Sequence, residues 1–260
     1  MSEVGFDFGN NWLEFTQESL DEDKLSAAQK SLVELIGQEN IKGKTFLDIG
    51  CGSGIFSIAA KRLGAKNVVA FDISKESIQS SKINTKKYLG GNEIDFHVFS
   101  ILDSEFKKFG TFDIVYSWGV LHHTGDMWQA IKNASELVND NGLFVIAIYN
   151  KHWTSPCWKF IKKIYNLSPS FIKLLMVWLF YVAIAFTKLL ITGKNPFIKK
   201  RGMDFYHDVI DWVGGYPYEY ASIEQIENYV CGLGFSRHKS LPTQGYTGNN
   251  EFVFRKTGHE

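Results

Sequence analysis

Lys44-Thr45-Phe46-Leu47-Asp48-Ile49-Gly50-Cys51-Gly52-Ser53-Gly54 runs directly into the small, apolar segment Ile55-Phe56-Ser57-Ile58-Ala59-Ala60, and the fold turns on how this stretch is read. Phe46, Leu47 and Ile49 form a short buried strand. The glycines form a turn in which no Cβ blocks close backbone approach, and the residues after them begin a helix. A ligand is therefore expected against the glycines, beside the helix N-terminus.

The spacing narrows the ligand. A dinucleotide site needs G-x-G-x-x-G, but Ile55 or Ser57 occupies the third glycine position in the two available registers. What remains is G-x-G-x-G with Asp48 just inside the strand end. A second acid, Asp72, closes the next strand-like run, Asn67-Val68-Val69-Ala70-Phe71. An acid at the tip of a second strand is placed to accept hydrogen bonds from two ribose hydroxyls.

At Leu47-Asp48-Ile49-Gly50-Cys51-Gly52-Ser53-Gly54 the chain resembles the class I S-adenosylmethionine-dependent methyltransferases. The resemblance implies a Rossmann-like α/β fold, a seven-stranded sheet of strand order 3-2-1-4-5-7-6, here with a helical insertion between strands five and six. It implies S-adenosyl-L-methionine as cofactor and S-adenosyl-L-homocysteine as product. The cofactor is then expected against Asp48, Gly50, Cys51, Gly52, Gly54, Asp72 and Ile73. Ile101 and Leu102 would flank the adenine, Trp118 would lie at the end of strand four, and Phe8 and Trp12 would close over the site from an N-terminal lid. A helix packed on the domain edge is the competing reading of those N-terminal aromatics.

The 260 residues fit one α/β domain with an insertion, and 28 basic against 28 acidic side chains give no global attraction for nucleic acid. Cys51, Cys157 and Cys231 form no C-x-x-C pair, which argues against a disulfide framework or a zinc knuckle. Acids stand near Met1 and no apolar run follows, so a cytoplasmic protein is expected. The expected division is an N-terminal helical lid over 1–40, the cofactor-binding core over 41–150, a basic apolar cap over 151–220, and a C-terminal helix with the last strands over 221–260.

In chain order, helical spacing runs from Asp23 to Gly37, and Ser74 caps a helix reaching about Tyr88. Strands three, four and five are expected at 94–99, 112–117 and 143–149, with a helix over 127–138. Roughly eighty residues then separate strand five from the next strand, far more than an ordinary connection. Residues 171–191 are apolar except for Lys173, Thr187 and Lys188. A helix of that length is about 30 Å long, which matches the bilayer hydrocarbon. Strands six and seven must still return beside strand five, so a single crossing is disfavoured, and a buried lid and an interfacial helix remain open. Residues 151–203 carry ten Lys or Arg and no Asp or Glu, leaving the rest of the chain at −10. Such a segment suits peripheral contact with anionic lipid at the inner membrane face, or encloses an anionic or lipid-like acceptor.

The loop Leu121-His122-His123 resembles that of small-molecule O-methyltransferases, and His207-Asp208-Val209-Ile210-Asp211-Trp212-Val213-Gly214-Gly215-Tyr216-Pro217 resembles a bacterial subgroup of the family. Methyl transfer to a hydroxyl requires a base. His123 is the first choice, with His122 and His207 as alternatives and Asp208 or Asp211 as orienting carboxylates. Tyr149, Asn150, Tyr216 and Glu219 stand where an acceptor would be met, although core and turn roles compete for them. No metal is expected, because His122, His207 and Asp211 lack ligand spacing. The leading expectation is methyl transfer to the oxygen of a small or lipid-like molecule. An RNA or protein methyltransferase docking through the basic insertion, methylation of a surface-glycan precursor, and a non-catalytic scaffold are the rivals; the oligomeric state is not legible.

Overall fold

The structure, a computed structural model, describes Phe6 and residues 20–91, 93–193, 205–243 and 248–258. Phe8 and Trp12 lie outside the described residues.

Helix α1 (Glu22–Ile36) starts where the Asp21 carboxylate accepts the Lys24 N–H at 2.9 Å and stops at Gly37. Its Leu25, Ala28, Leu32, Leu35 and Ile36 are buried in the same cluster as Ile55, Ile58 and Ala59. Residues 22–36 thus belong to the main core. The expected lid over 1–40 does not extend to them, because their apolar stripe is already spent on the domain.

Strand β1 (Thr45–Ile49), helix α2 (Ile55–Arg62), strand β2 (Asn67–Asp72), helix α3 (Lys75–Leu89) and strand β3 (Asp95–Val98) follow as two successive crossovers of a parallel sheet. Strand β4 (Phe112–Trp118), helix α4 (Met127–Glu136) and strand β5 (Val138–Tyr149) extend the sheet on the other side of β1. After the insertion, helix α8 (Ile223–Gly232) precedes strands β6 (Phe235–Leu241) and β7 (Asn249–Lys256), and β7 runs antiparallel between β5 and β6. The order is β3-β2-β1-β4-β5-β7-β6, as the resemblance implied. One core lies under α1, α2 and α3; the other lies under α4 and α8.

Strand β5 begins five residues earlier than its apolar run. The Phe112 N–H bonds the Leu137 carbonyl at 2.8 Å, and Val138 already pairs with Phe112 before a register shift. This pairing ends α4 at Glu136, although Leu137 and Val138 keep the helical spacing.

The insertion forms α5 (Ser155–Leu167), α6 (Ser170–Thr192) and α7 (Phe205–Gly214). Tyr165, Val177, Phe205, Val209 and Val213 make a small core of their own. Only 6% of Ser170–Thr187 is buried, which removes the reading of α6 as a buried lid.

Candidate functional site

The glycine turn is tied down from three sides. Gly50 and Cys51 N–H groups both donate to the Phe71 carbonyl, at 2.7 and 3.2 Å. The Ser81 hydroxyl donates to the Gly52 carbonyl and the Asn84 amide to the Ser53 carbonyl, each at 2.8 Å. Gly50, Gly52 and Gly54 all have φ between +55 and +77°, the left-handed region that side chains other than glycine rarely adopt. A Cβ on Gly50 would also lie 2.4 Å from Val120, so the loop after β4 rests directly on the turn.

Two carboxyl groups converge here. Asp72 accepts the Gly52 N–H at 3.0 Å and the Ser74 N–H at 2.9 Å, and burial raises its pKa against those bonds. Asp48 is buried and accepts the Ser57 hydroxyl at 2.5 Å; burial, with the Asp72 charge adding to it, pushes its pKa up to about 7. Cys51 is buried and its thiol is pushed up by burial, so it stays protonated. Next to Asp72, Ile73 is 76% exposed, an apolar side chain left open at the strand tip. Of the two acids only Asp72 reaches the surface, and with the glycine turn and the bare Ile73 side chain beside it the arrangement fits a nucleoside, the diol on Asp72 and a purine face on Ile73, while Asp48 holds Ser57 at the start of α2 beneath them.

The other expected cofactor contacts divide. Leu102 is partly buried against the core, but Ile101 is buried within it and its carbonyl accepts the Asn133 amide at 2.8 Å. Ile101 therefore does not offer its side chain to an adenine; in the turn after β3 that side chain packs into the core. Trp118 is partly buried, and its indole N–H donates to Glu251 at 2.8 Å.

Beyond Val120, a single 3-10 turn (Leu121–His123) presents the histidines. The His122 ring is fully buried, 4.4 Å from the His123 ring and 4.0 Å from that of Tyr149. The Tyr149 N–H faces its Nδ1 at 3.4 Å, and its Nε2 has no hydrogen-bond partner among the described residues. His123 Nδ1 lies 2.6 Å from the Pro217 carbonyl, so Nδ1 carries the proton and donates. Burial, reinforced by the nearby Lys162 charge, lowers the His123 pKa to about 3 and takes His122 well below its usual range. Both rings are neutral at physiological pH.

The orienting group for His123 is thus a backbone carbonyl instead of the expected Asp208 or Asp211. Asp211 is partly buried, and its charge acts on Lys162 and Tyr149. His207 lies in α7, with its side chain outside the described residues. Glu219 accepts the Met127 N–H at 3.0 Å and so serves the start of α4. Asn150 is held in the sheet, its side-chain oxygen accepting from Asn250 at 3.1 Å and its N–H donating to Gly248. The Tyr216 carbonyl accepts the Phe6 N–H at 3.0 Å. Tyr149 is the one of the four that packs on the histidine pair. Among the described residues no group of His, Cys, Asp or Glu converges as a metal site.

Lys162 was not singled out in the sequence. Its side chain is fully buried, donates to the Trp212 carbonyl, and sits 5.7, 5.1 and 4.9 Å from the rings of Tyr149, Trp212 and Tyr218. Burial lowers its pKa to about 7, opposed by the charge of Asp211. The available signal was its place with Trp158, Ile161 and Tyr165 on one helical face. The Tyr149 and Tyr218 rings lead to Tyr220, which lines an open groove of about 450 Å³ with Lys151, His152, Trp153 and Pro156.

A family model described as a methyltransferase domain matches residues 21–194, more than half of the chain. The chain belongs to the methyltransferase-domain family. Among curated relatives of this methyltransferase, a ubiquinone biosynthesis O-methyltransferase of Pelagibacter ubique (strain HTCC1062) is 38% identical over 111 residues, 43% of this chain and 44% of that protein. A ribosomal protein L11 methyltransferase of Thermotoga maritima is 47% identical over 77 residues, 29% of this chain and 27% of that protein. The methyltransferase therefore spans less than half the length of the curated relatives it matches. Its fold resembles that of the magnesium protoporphyrin IX methyltransferase from Synechocystis PCC 6803 with bound SAH, at a TM-score of 0.61 and 16% identity over 95% of this chain and 93% of that one. An O-methyltransferase family protein from Burkholderia thailandensis gives 0.58 at 14% identity, over 92% and 58%. S-adenosylmethionine is the cofactor of this methyltransferase.

Proposed function

We propose that this methyltransferase acts on the oxygen of a small or lipid-like acceptor, with His123 as the base. The observation that carries the proposal is the His123 ring: neutral, fixed by Pro217, and on the same loop as Val120, which covers Gly50 of the cofactor turn. Bound S-adenosylmethionine supplies an electrophilic methyl carbon. The protein supplies position and takes up a proton.

With Nδ1 donating to Pro217, Nε2 is the nitrogen with the basic lone pair, and it receives the hydroxyl proton as the oxygen becomes nucleophilic. Burial that keeps His123 neutral also makes it a weak base. Negative charge developing on an adjacent acceptor oxygen raises its proton affinity, because an opposite charge favours the imidazolium. The proton later leaves to water. Asp72 would hold the nucleoside diol of the bound cofactor, and Tyr149 braces the histidine rings.

The Pelagibacter relative, an O-methyltransferase by name, supports oxygen as the accepting atom. The test is to supply the full chain and methyl-labelled S-adenosylmethionine with, in parallel, a bacterial lipid extract, total RNA and ribosomal protein. Label in the organic-extractable fraction is expected. Label confined to RNA or protein would overturn the reading.

A further inference from the structure

Helix α6 has two apolar faces where a water-exposed helix has one. The inner face, Val177 with Met176, Phe180, Tyr181, Ile184 and Ala185, packs in the small core shared with α5 and α7. The outer face repeats with helical spacing through Phe171, Leu174, Leu175, Trp178, Leu179, Val182 and Phe186, and these side chains are exposed, Phe171 at 72%, Leu175 at 68% and Leu179 at 66%. On α5, Phe160, Ile164 and Leu167 continue the exposed apolar surface, and Trp153 just before that helix is 81% exposed. Contiguous apolar area of this extent marks a surface that another phase or molecule covers.

Charge identifies the occupant. Residues 151–203 hold ten basic and no acidic side chains. Of these, Lys151, Lys159 and Lys163 are exposed beside the apolar surface. Lysine stems lie along apolar surface while the ammonium groups reach outward to water or headgroups. A second copy of the chain would bring two such positive surfaces together. An anionic bilayer offers acyl chains to the outer face and negative headgroups to its rim.

We propose that the α5–α6 hairpin lies in the plane of an anionic bilayer, with the outer face of α6 among the acyl chains and the lysines at the headgroups. Crossing the bilayer is incompatible with the fold, since β5 before the hairpin and β7 after it pair in one sheet and the inner face of α6 is occupied by protein. The all-round apolarity of α6 thus reflects two environments, core on one side and lipid on the other. Docking in this pose also carries Trp153, and with it the groove lined by Lys151, His152, Pro156 and Tyr220, to the membrane surface. Entry of a lipid-like acceptor through that groove rests on the proposed function; the docking itself does not.

The experiment is co-sedimentation of the full chain with vesicles of phosphatidylcholine, with and without phosphatidylglycerol. Binding is expected to rise steeply with phosphatidylglycerol. The double variant Leu175→Glu/Leu179→Glu, altered at two exposed positions, is expected to lose at least tenfold in partition coefficient while its circular dichroism, melting and affinity for S-adenosylhomocysteine stay unchanged. Wild-type chain that remains in the supernatant at every composition overturns the proposal, as does a double variant that binds like wild type. A lipid-free dimer dissolved by the same double variant, with no vesicle binding, assigns the surface to a second copy and also overturns it. Retained cofactor affinity and transfer to detergent-dispersed lipid separate a failure of docking from a failure of the proposed chemistry.

Discussion

Lys162 places an ammonium-bearing side chain where water does not reach, and the cost appears as a pKa lowered to about 7 from 10.5. Between those values the unfolded chain binds a proton that the folded chain has released, so stability rises with pH across that window. The slope this single group adds is at most about 1.4 kcal/mol per pH unit. Urea unfolding at a series of pH values should show it in the wild type and lose it in Lys162→Met; equal slopes would remove Lys162 from the account. For His123, asparagine places its amide nitrogen where Nδ1 stands and can still donate to Pro217, but cannot serve as base. His123→Asn is therefore expected to lower kcat about 100-fold or more without altering affinity for S-adenosylhomocysteine, and full turnover by the variant would exclude the base role. Asp48 and Asp72 were legible in the sequence because strand, turn and helix fix their places locally. His123 was legible as a loop residue, but its partner Pro217 lies 94 positions away. Lys162 is one of ten cations in its segment, and its burial depends on Trp212, 50 positions later; no local pattern distinguishes it.

The turn between β1 and α2 and the loop after β4 act as one unit, because Val120 rests on Gly50. In Gly50→Ala the new methyl meets Val120 and the backbone keeps a φ of +74°. Both effects are unfavourable, and a loss of about 1 to 3 kcal/mol in stability is expected from strain and crowding. Chemical denaturation measures it; an unchanged midpoint would mean that turn and loop are not coupled. Glycine spacing revealed the turn, yet nothing in it announced Val120. The start of β5 was hidden for a related reason. Leu137 and Val138 continue the periodicity of α4, and only the bond from Phe112 draws them into the sheet. Glu219, Asn150 and Ile101 likewise had plausible places near a ligand, but serve a helix start, a strand pair and the core.

The molecule divides its charged residues as it divides its chain: ten basic and no acidic side chains on the insertion, and an excess of ten acidic ones on the remainder. Sheet order was legible because one motif with its flanking strands identifies the family fold. The role of α6 was not, since composition reports that a helix is apolar but not which neighbour each face meets. That distinction came from α7, which fills the inner face and leaves the outer one open. One function for these parts requires that the cofactor bind at the tips of β1 and β2, and isothermal titration of S-adenosylhomocysteine into the wild type and Asp72→Ala tests that without any acceptor. One saturable site is expected in the wild type, weakened at least about tenfold in the variant, since a charged acceptor of two hydroxyls contributes about 1.5 to 3 kcal/mol. No binding by the wild type, or equal affinity in the two proteins, would contradict it.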